Sequence, residues 1–69
     1  MIALTLRERE IAGLVAAGVA NKNIAFALHL STGTIKEYMH HIFRKLGMSN
    51  RTQLAVWWIS GGKDDEPQT

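Results

Sequence analysis

The chain has 69 residues, with eight Lys or Arg against six Asp or Glu and no cysteine. A chain of this length forms one small domain that buries about 60% of its unfolded surface, which leaves no room for an elaborate catalytic cavity. The lack of cysteine excludes a disulfide framework and a zinc-thiolate site, so the packing of apolar side chains must supply the stability.

The net charge of +2 is unevenly distributed along the chain. Residues 1–62 carry a net charge of +4, whereas residues 63–69, which follow Gly61 and Gly62, carry −2. We predict a domain over residues 1–62 and a disordered acidic tail over 63–69. The basic domain favours a polyanionic partner. No apolar run approaches the roughly 18 residues of a membrane span, and residues 1–5 do not resemble a signal peptide, so we expect a cytoplasmic protein without a membrane partner.

The segment Thr5-Leu6-Arg7-Glu8 matches a capping box and predicts the start of the first helix. We predict that this helix runs over about 6–17 and ends at Gly18. Its apolar face consists of Ile11, Leu14 and Val15. Thr5 and Glu8 therefore have a structural explanation as a helix cap.

A short second helix is predicted over about 22–28, with Asn21 as its N-cap. It presents Ile24, Ala25 and Leu28 to the core. The link over 29–31 has the length of the turn in a helix-turn-helix motif, in which the first helix lies over the DNA backbone and the second enters the major groove.

The third helix, predicted over 32–46 with Ser31 as its N-cap, has two faces of opposite chemistry. Its apolar stripe consists of Ile35, Met39, Ile42 and Leu46, flanked by Tyr38 and Phe43. Its polar face consists of Gly33, Lys36, Glu37, His40 and Arg44. The stripe must be buried, and the polar face is suited to contact an anionic partner. The backbone N–H groups of the first turn can hold a phosphate oxygen.

The fourth helix, predicted over about 51–60 with Asn50 as its N-cap, has more apolar residues than one buried face needs. One side carries Leu54, Ala55 and Trp58, whereas Val56 and Trp57 turn away from it. We therefore expect at least one tryptophan to stay exposed in a monomer and this helix to form a dimer interface. The alternative is that both tryptophans cover the small core.

Four blocks of sequence in order resemble the LuxR-type helix-turn-helix family, from Leu4 to about Trp58. They are Leu4-Thr5-Leu6-Arg7-Glu8-Arg9-Glu10, Gly18-Val19-Ala20-Asn21-Lys22-Asn23-Ile24-Ala25, Ser31-Thr32-Gly33-Thr34-Ile35-Lys36 and Lys45-Leu46-Gly47-Met48-Ser49-Asn50-Arg51. The resemblance implies an all-α, four-helix DNA-binding output domain of a bacterial transcription factor, in which helix three is the recognition helix and helix four the dimerisation helix. Such domains often follow a phosphoacceptor receiver, as in response regulators, or a ligand-sensing domain. The chain is then either a fragment of such a regulator or a stand-alone member of the family.

The resemblance and the side-chain chemistry together predict the site. The base-reading residues are Lys36, Glu37 and His40. The phosphate contacts are Asn21, Lys22, Ser31, Thr32, Thr34, Arg44 and Lys45, and the dimer interface comprises Gln53, Val56, Trp57 and Ser60. The expected partners are double-stranded DNA, a second copy of the chain in a weak homodimer, and RNA polymerase. The alternative for Glu37 is that it only orients Lys36 or Arg44, or faces solvent. Tyr38 stands where the family most often has His, and its role stays open.

Catalytic and metal-binding functions are disfavoured. His40 and His41 are adjacent, so on a helix they diverge by about 100° and cannot chelate one ion. Each serine lies at a helix cap or helix end, without an acid and base pair on a shared face. We therefore predict a non-enzymatic protein without cofactor or metal. The alternative function is a protein-docking helical module, including one like sigma-factor region four, that uses the apolar fourth helix.

Overall fold

The computed structural model describes residues 4–64 and contains four α-helices. These are α1 (Leu6–Ala16), α2 (Asn21–Leu28), α3 (Thr32–Leu46) and α4 (Arg51–Ile59), followed by a 3₁₀ turn, η1 (Gly62–Asp64). The predicted all-α, four-helix class is confirmed. Within the described residues, no helix has the length and apolar character needed to cross a membrane.

Three of the four predicted helix starts are confirmed. α1 begins with a complete capping box, in which the Thr5 hydroxyl accepts from the Glu8 N–H and the Glu8 carboxylate accepts from the Thr5 N–H. The side chains of Ser31 and Asn50 cap α3 and α4 by accepting backbone N–H groups of the first turn. These interactions connect neighbours three residues apart, which is why the sequence alone indicates them.

The predicted N-cap of α2 is wrong. Ala20 is the N-cap and makes no side-chain cap hydrogen bond, whereas Asn21 is the first helical residue. The physical reason is that the Asn21 side-chain oxygen accepts a hydrogen bond from Arg51 Nη1 at 2.6 Å, so this oxygen is engaged with α4. Two helix ends also differ by one residue from the prediction, since α1 ends at Ala16 and α4 at Ile59.

The core lies where α1 packs against α3 and α4 and α2 packs against α3. Its largest fully buried side chains come from the segment before α1 and from all four helices: Leu4, Ile11, Ile24, Ile35, Ile42 and Leu54. Gly13 of α1 allows a close approach of α4, because a Cβ at this position would lie 3.0 Å from the Trp58 ring. The core therefore fixes α3 against α1 and α2.

The expectation that a tryptophan stays exposed is wrong. Trp57 and Trp58 are both partly buried and pack against the core, as the alternative prediction held. Trp57 lies against Gly62, where a Cβ would come within 2.5 Å of its ring. The exposed apolar side chains of α4 are instead Val56 and Ile59.

Arg9 of α1 forms hydrogen bonds with the C-terminal turn η1. Its guanidinium donates to the carbonyl oxygens of Gly62 and Lys63 and lies over the Trp58 ring, 5.5 Å from the centroid. η1 therefore continues the described structure to Asp64, two residues beyond the predicted domain boundary. The rest of the predicted acidic tail, residues 65–69, lies outside the described residues.

Candidate nucleic-acid interface

The two faces of α3 lie as the sequence predicts. Ile35, Met39 and Ile42 are buried, and Leu46, Tyr38 and Phe43 pack partly buried beside them. The opposite face is exposed and carries Gly33, Lys36, Glu37, His40 and Arg44, with His41 at its side. One lysine, one arginine, two imidazoles and one carboxylate therefore lie on the open side of a helix, and the major groove of DNA admits an α-helix.

The N-terminus of α3 is an exposed, polar turn. The Ser31 hydroxyl lies 2.9 Å from the Thr34 hydroxyl and accepts from the Thr34 N–H at 3.0 Å. The first intrahelical bond is donated by the Ile35 N–H to the Ser31 carbonyl oxygen. The N–H groups of Thr32 and Gly33 therefore precede the first helical hydrogen bond and are the ones placed to donate to a phosphate oxygen.

A groove between the start of α2 and the exposed face of α3 brings together residues predicted for two different roles. It has a volume of about 280 Å³ and is lined by Asn21, Lys36, Met39, His40 and Phe43. Asn21 is predicted to contact phosphate, and Lys36 and His40 are predicted to read bases. The structure places all three at one depression beside α3.

Lys45 and Glu8 form a half-buried ion pair between α3 and α1. Lys45 Nζ lies 2.7 Å from Glu8 Oε1, and Glu8 is only 5% exposed. Burial acts to raise the pKa of Glu8, but hydrogen bonds from Lys45 and from the Thr5 backbone outweigh burial and hold this pKa below its ordinary value. The predicted phosphate contact Lys45 thus also connects two helices, whereas Lys22 and Arg44 are exposed.

A second depression on the other flank of α3 is lined by Thr34, Glu37, Tyr38 and His41. Tyr38 is partly buried and packs against the core. Tyr38 thus occupies the border between the apolar stripe and the exposed face. Within residues 4–64, no three His, Cys, Asp or Glu side chains are grouped closely enough to hold a metal ion.

The predicted dimer residues meet in one open groove on the outer side of α4. This groove, of about 510 Å³, is lined by Gln53, Val56, Trp57 and Ser60 together with Leu46, Gly47, Met48 and Thr52. Val56 is 58% exposed. The Gln53 side chain is partly engaged, since its oxygen accepts from the Ser49 N–H at 2.6 Å. The groove is largely apolar and lies apart from the polar face of α3.

Arg51 contacts the predicted site residue Asn21, a tertiary contact that the sequence did not indicate. It is the first residue of α4, where the positive end of the helix dipole disfavours a cation. Its guanidinium donates to the Asn21 side chain and to the Val19 carbonyl oxygen. An arginine at the first position of a helix is the signal that could have indicated a tertiary role.

A short helix, α2, and a longer one, α3, are joined by a tight turn, and α3 has a buried stripe and an exposed polar face; this arrangement defines a helix-turn-helix domain. Residues 3–58 match the sequence profile of the family described as bacterial regulatory proteins, luxR family. The chain belongs to this family. Membership supports DNA binding in the regulation of transcription.

Curated relatives are similar to this chain over 52 to 54 residues. The chain is 47% identical over 52 residues to the monoamine regulon transcriptional regulator of Klebsiella aerogenes. The matched segment makes up 75% of this chain and 23% of that protein. It is 44% identical over 54 residues to the DNA-binding transcriptional activator DevR/DosR of Mycobacterium tuberculosis, with 78% and 25% covered. The nitrate/nitrite response regulator protein NarL of Escherichia coli is 41% identical over 54 residues, also with 78% and 25% covered. The chain thus spans about a quarter of the length of these relatives.

Proposed function

We propose that this domain binds double-stranded DNA sequence-specifically as the output domain of a bacterial transcriptional regulator, with α3 in the major groove. Lys36 donates to guanine O6 or N7, and His40 donates or accepts at a base edge. Glu37 accepts from a cytosine amino group or orients Lys36. The observation that carries this proposal is the exposed polar face of α3, opposite a buried stripe on the same helix.

Phosphate contacts orient the domain without reading bases. We assign this role to the exposed side chains of Lys22 and Arg44, to Asn21, and to the polar turn of Ser31, Thr32 and Thr34. We also assign a phosphate contact to Lys45. Its ammonium group has three N–H donors, so it can donate to a phosphate oxygen while one N–H binds Glu8.

The apolar groove of α4 supports a weak homodimer with a two-fold axis. Two copies would place their α3 helices in successive major grooves, at half-sites about one helical turn apart. We place this activity in the cytoplasm, with RNA polymerase as a further partner. The similarity to the response regulator NarL makes a receiver-controlled regulator the type of whole protein we propose.

The exposed Val56 and Ile59 also favour a second candidate function, a module that docks another protein through α4. Salt distinguishes the two candidates, because binding through several phosphates weakens steeply with added salt and apolar docking does not.

The experiment that tests the proposal is a fluorescence-anisotropy titration of labelled random duplex DNA at rising salt. We expect binding at low salt with a log–log slope of about −0.9 for each phosphate neutralised. Selection of duplexes from a random pool then identifies the preferred site. A protein that remains folded by circular dichroism and does not bind duplex DNA at low salt would contradict the proposal and favour protein docking through α4.

A further inference from the structure

Arg51 connects three parts of the domain that are distant in sequence. Its Nη1 lies 2.6 Å from the Asn21 side-chain oxygen and 3.8 Å from Met39 Sδ, and its Nη2 lies 2.8 Å from the Val19 carbonyl oxygen. One half-buried guanidinium from α4 thus contacts the α1–α2 loop, the start of α2 and the buried stripe of α3.

The chemistry of these contacts fixes the orientation of the Asn21 amide. A guanidinium has only donors, so the atom of the amide that faces Arg51 must be the oxygen. The two N–H donors of the amide are then directed away from Arg51. Asn21 also lines the groove that contains Lys36 and His40.

We infer that Arg51 is a positioning residue, which holds the Asn21 amide with its N–H₂ group toward this groove, beside Lys36 and His40, so that the amide donates to one DNA phosphate oxygen. The inference rests on the proposed DNA binding and assigns to that site a phosphate position and the residue that prepares it. Arg51 acts through Asn21 and does not itself contact DNA. The positive charge of Arg51 interacts unfavourably with the positive end of the α4 dipole, and the hydrogen bonds of Arg51 to Asn21 and Val19 offset this free energy.

The first test compares Asn21→Asp with Asn23→Asp. Both variants add one negative charge to α2, but Asn23 is exposed and does not line the groove. In Asn21→Asp one carboxylate oxygen still accepts from Arg51, whereas the other replaces the N–H₂ donor and repels a phosphate. We expect Asn21→Asp to bind random duplex at least about tenfold more weakly than Asn23→Asp, the factor expected from a charge-assisted hydrogen bond.

The melting temperatures of the same variants test the contact between residue 21 and Arg51. Asn21→Asp should melt at or above the temperature of the unchanged protein, because a carboxylate strengthens the contact to Arg51 and suits the first turn of a helix. A lower melting temperature would show that this side chain does not contact Arg51 in solution. Equal DNA affinities of the two Asp variants would show that the amide does not donate to DNA. Either result would overturn the inference.

The second test is a double-mutant cycle of Arg51→Met and Asn21→Ala, measured by DNA affinity at a temperature where every variant is folded. We expect Arg51→Met to weaken binding about three- to tenfold in the unchanged protein and less than about twofold in the Asn21→Ala background. If Arg51 bound a phosphate itself, the loss would persist in that background and the salt slope would fall by about 0.9. That result would overturn the positioning role.

The failure of this inference can be distinguished from the failure of the proposed function. If the unchanged protein does not bind duplex DNA, the proposed function fails whatever the variants do. If it binds with a steep salt dependence and the variants show no coupling, DNA binding stands and only the role of Arg51 is rejected.

Discussion

Lys36 and Lys22 are both exposed lysines near the DNA-facing side of the proposed complex, yet they differ in their expected contribution to specificity. Lys36 lies on the polar face of α3 and is placed to contact a base edge, whereas Lys22 lies on α2, over the backbone. We expect Lys36→Ala to reduce the ratio of specific to random affinity about tenfold, since one good base contact contributes about 1–3 kcal/mol of discrimination. Lys22→Ala should weaken both affinities alike.

Anisotropy titrations with the selected site and with a random duplex measure this ratio for both variants. Lys22→Ala is the matched control, because it removes the same charge and the same side-chain length. Equal losses on the two duplexes for Lys36→Ala would contradict a base-reading role and assign Lys36 to the phosphates.

The Glu8–Lys45 pair predicts how stability depends on pH. The pKa of Glu8 is below its ordinary value in the folded protein, so its contribution is complete above about pH 4.3, the unfolded value, and is lost as pH falls through the folded pKa. Glu8→Gln keeps a side chain that is compatible with a capping box but removes the charge. We expect this variant to be less stable at pH 7 by about 1.5–3 kcal/mol, the usual contribution of a hydrogen bond to a charged group.

Chemical denaturation from pH 7 to pH 3 measures the difference, which should shrink below about pH 4.3. Glu10→Gln is the control, because the Arg7–Glu10 pair is long, at 3.9 Å, and exposed. A stability difference between Glu8→Gln and the unchanged protein that stays constant over this pH range would contradict an ionic contribution.

At the scale of elements, the attachment of η1 to α4 depends on a glycine. A Cβ at the buried Gly62 would lie 2.5 Å from the Trp57 ring, so Gly62→Ala must displace the indole or the turn. We expect a loss of about 1–3 kcal/mol, typical of overpacking, and a melting temperature lowered by at least about 4 °C. Tryptophan fluorescence should shift to longer wavelength as the ring becomes more exposed.

Gly33→Ala provides the matched control for this prediction. Gly33 lies in the exposed first turn of α3, where a Cβ would come only within 3.8 Å of the Ser31 hydroxyl. The same substitution there should preserve or raise the melting temperature, since Ala is the better helix former. A Gly62→Ala variant as stable as Gly33→Ala would contradict the close packing of η1 on α4.

The helices could be predicted from the sequence where their signals are local. The caps at Thr5, Ser31 and Asn50 and the stripe of α3 depend on residues three or four positions apart. The N-cap of α2 could not be predicted in this way, because the Asn21 oxygen accepts a hydrogen bond from Arg51, 30 positions away. The burial of Trp57 likewise depends on Gly62 and the turn that Arg9 holds, which no helical periodicity indicates.

In the candidate site, too, the features set by local spacing could be predicted, and those set by the packing of helices could not. The polar face of α3 follows from its spacing alone, so Lys36, Glu37 and His40 could be predicted as an exposed set. The grouping of Asn21 with Lys36 and His40 required the packing of α2 against α3. The ion pair that engages Lys45 required the packing of α1 against α3.

At the scale of the whole molecule, the proposed dimer predicts cooperative binding to paired half-sites. Val56 lines the open groove of α4 and is 58% exposed, so Val56→Glu leaves the core intact. Near a two-fold axis the two introduced carboxylates repel each other and lose apolar contact. We expect sedimentation to show a weaker dimer, and a duplex with two half-sites to lose about tenfold more affinity than a single half-site does.

Val56 is a better test position than Trp57, because Trp57 also packs against Gly62 and the core, so its removal would perturb folding. Phe26→Glu is the control for sedimentation, since Phe26 lies on α2, is 85% exposed and does not line the α4 groove. It introduces the same charge and should leave the dimer unchanged. A Val56→Glu protein that dimerises and binds paired half-sites as before would remove α4 from the interface, and the second copy would then have to contact another surface of the domain.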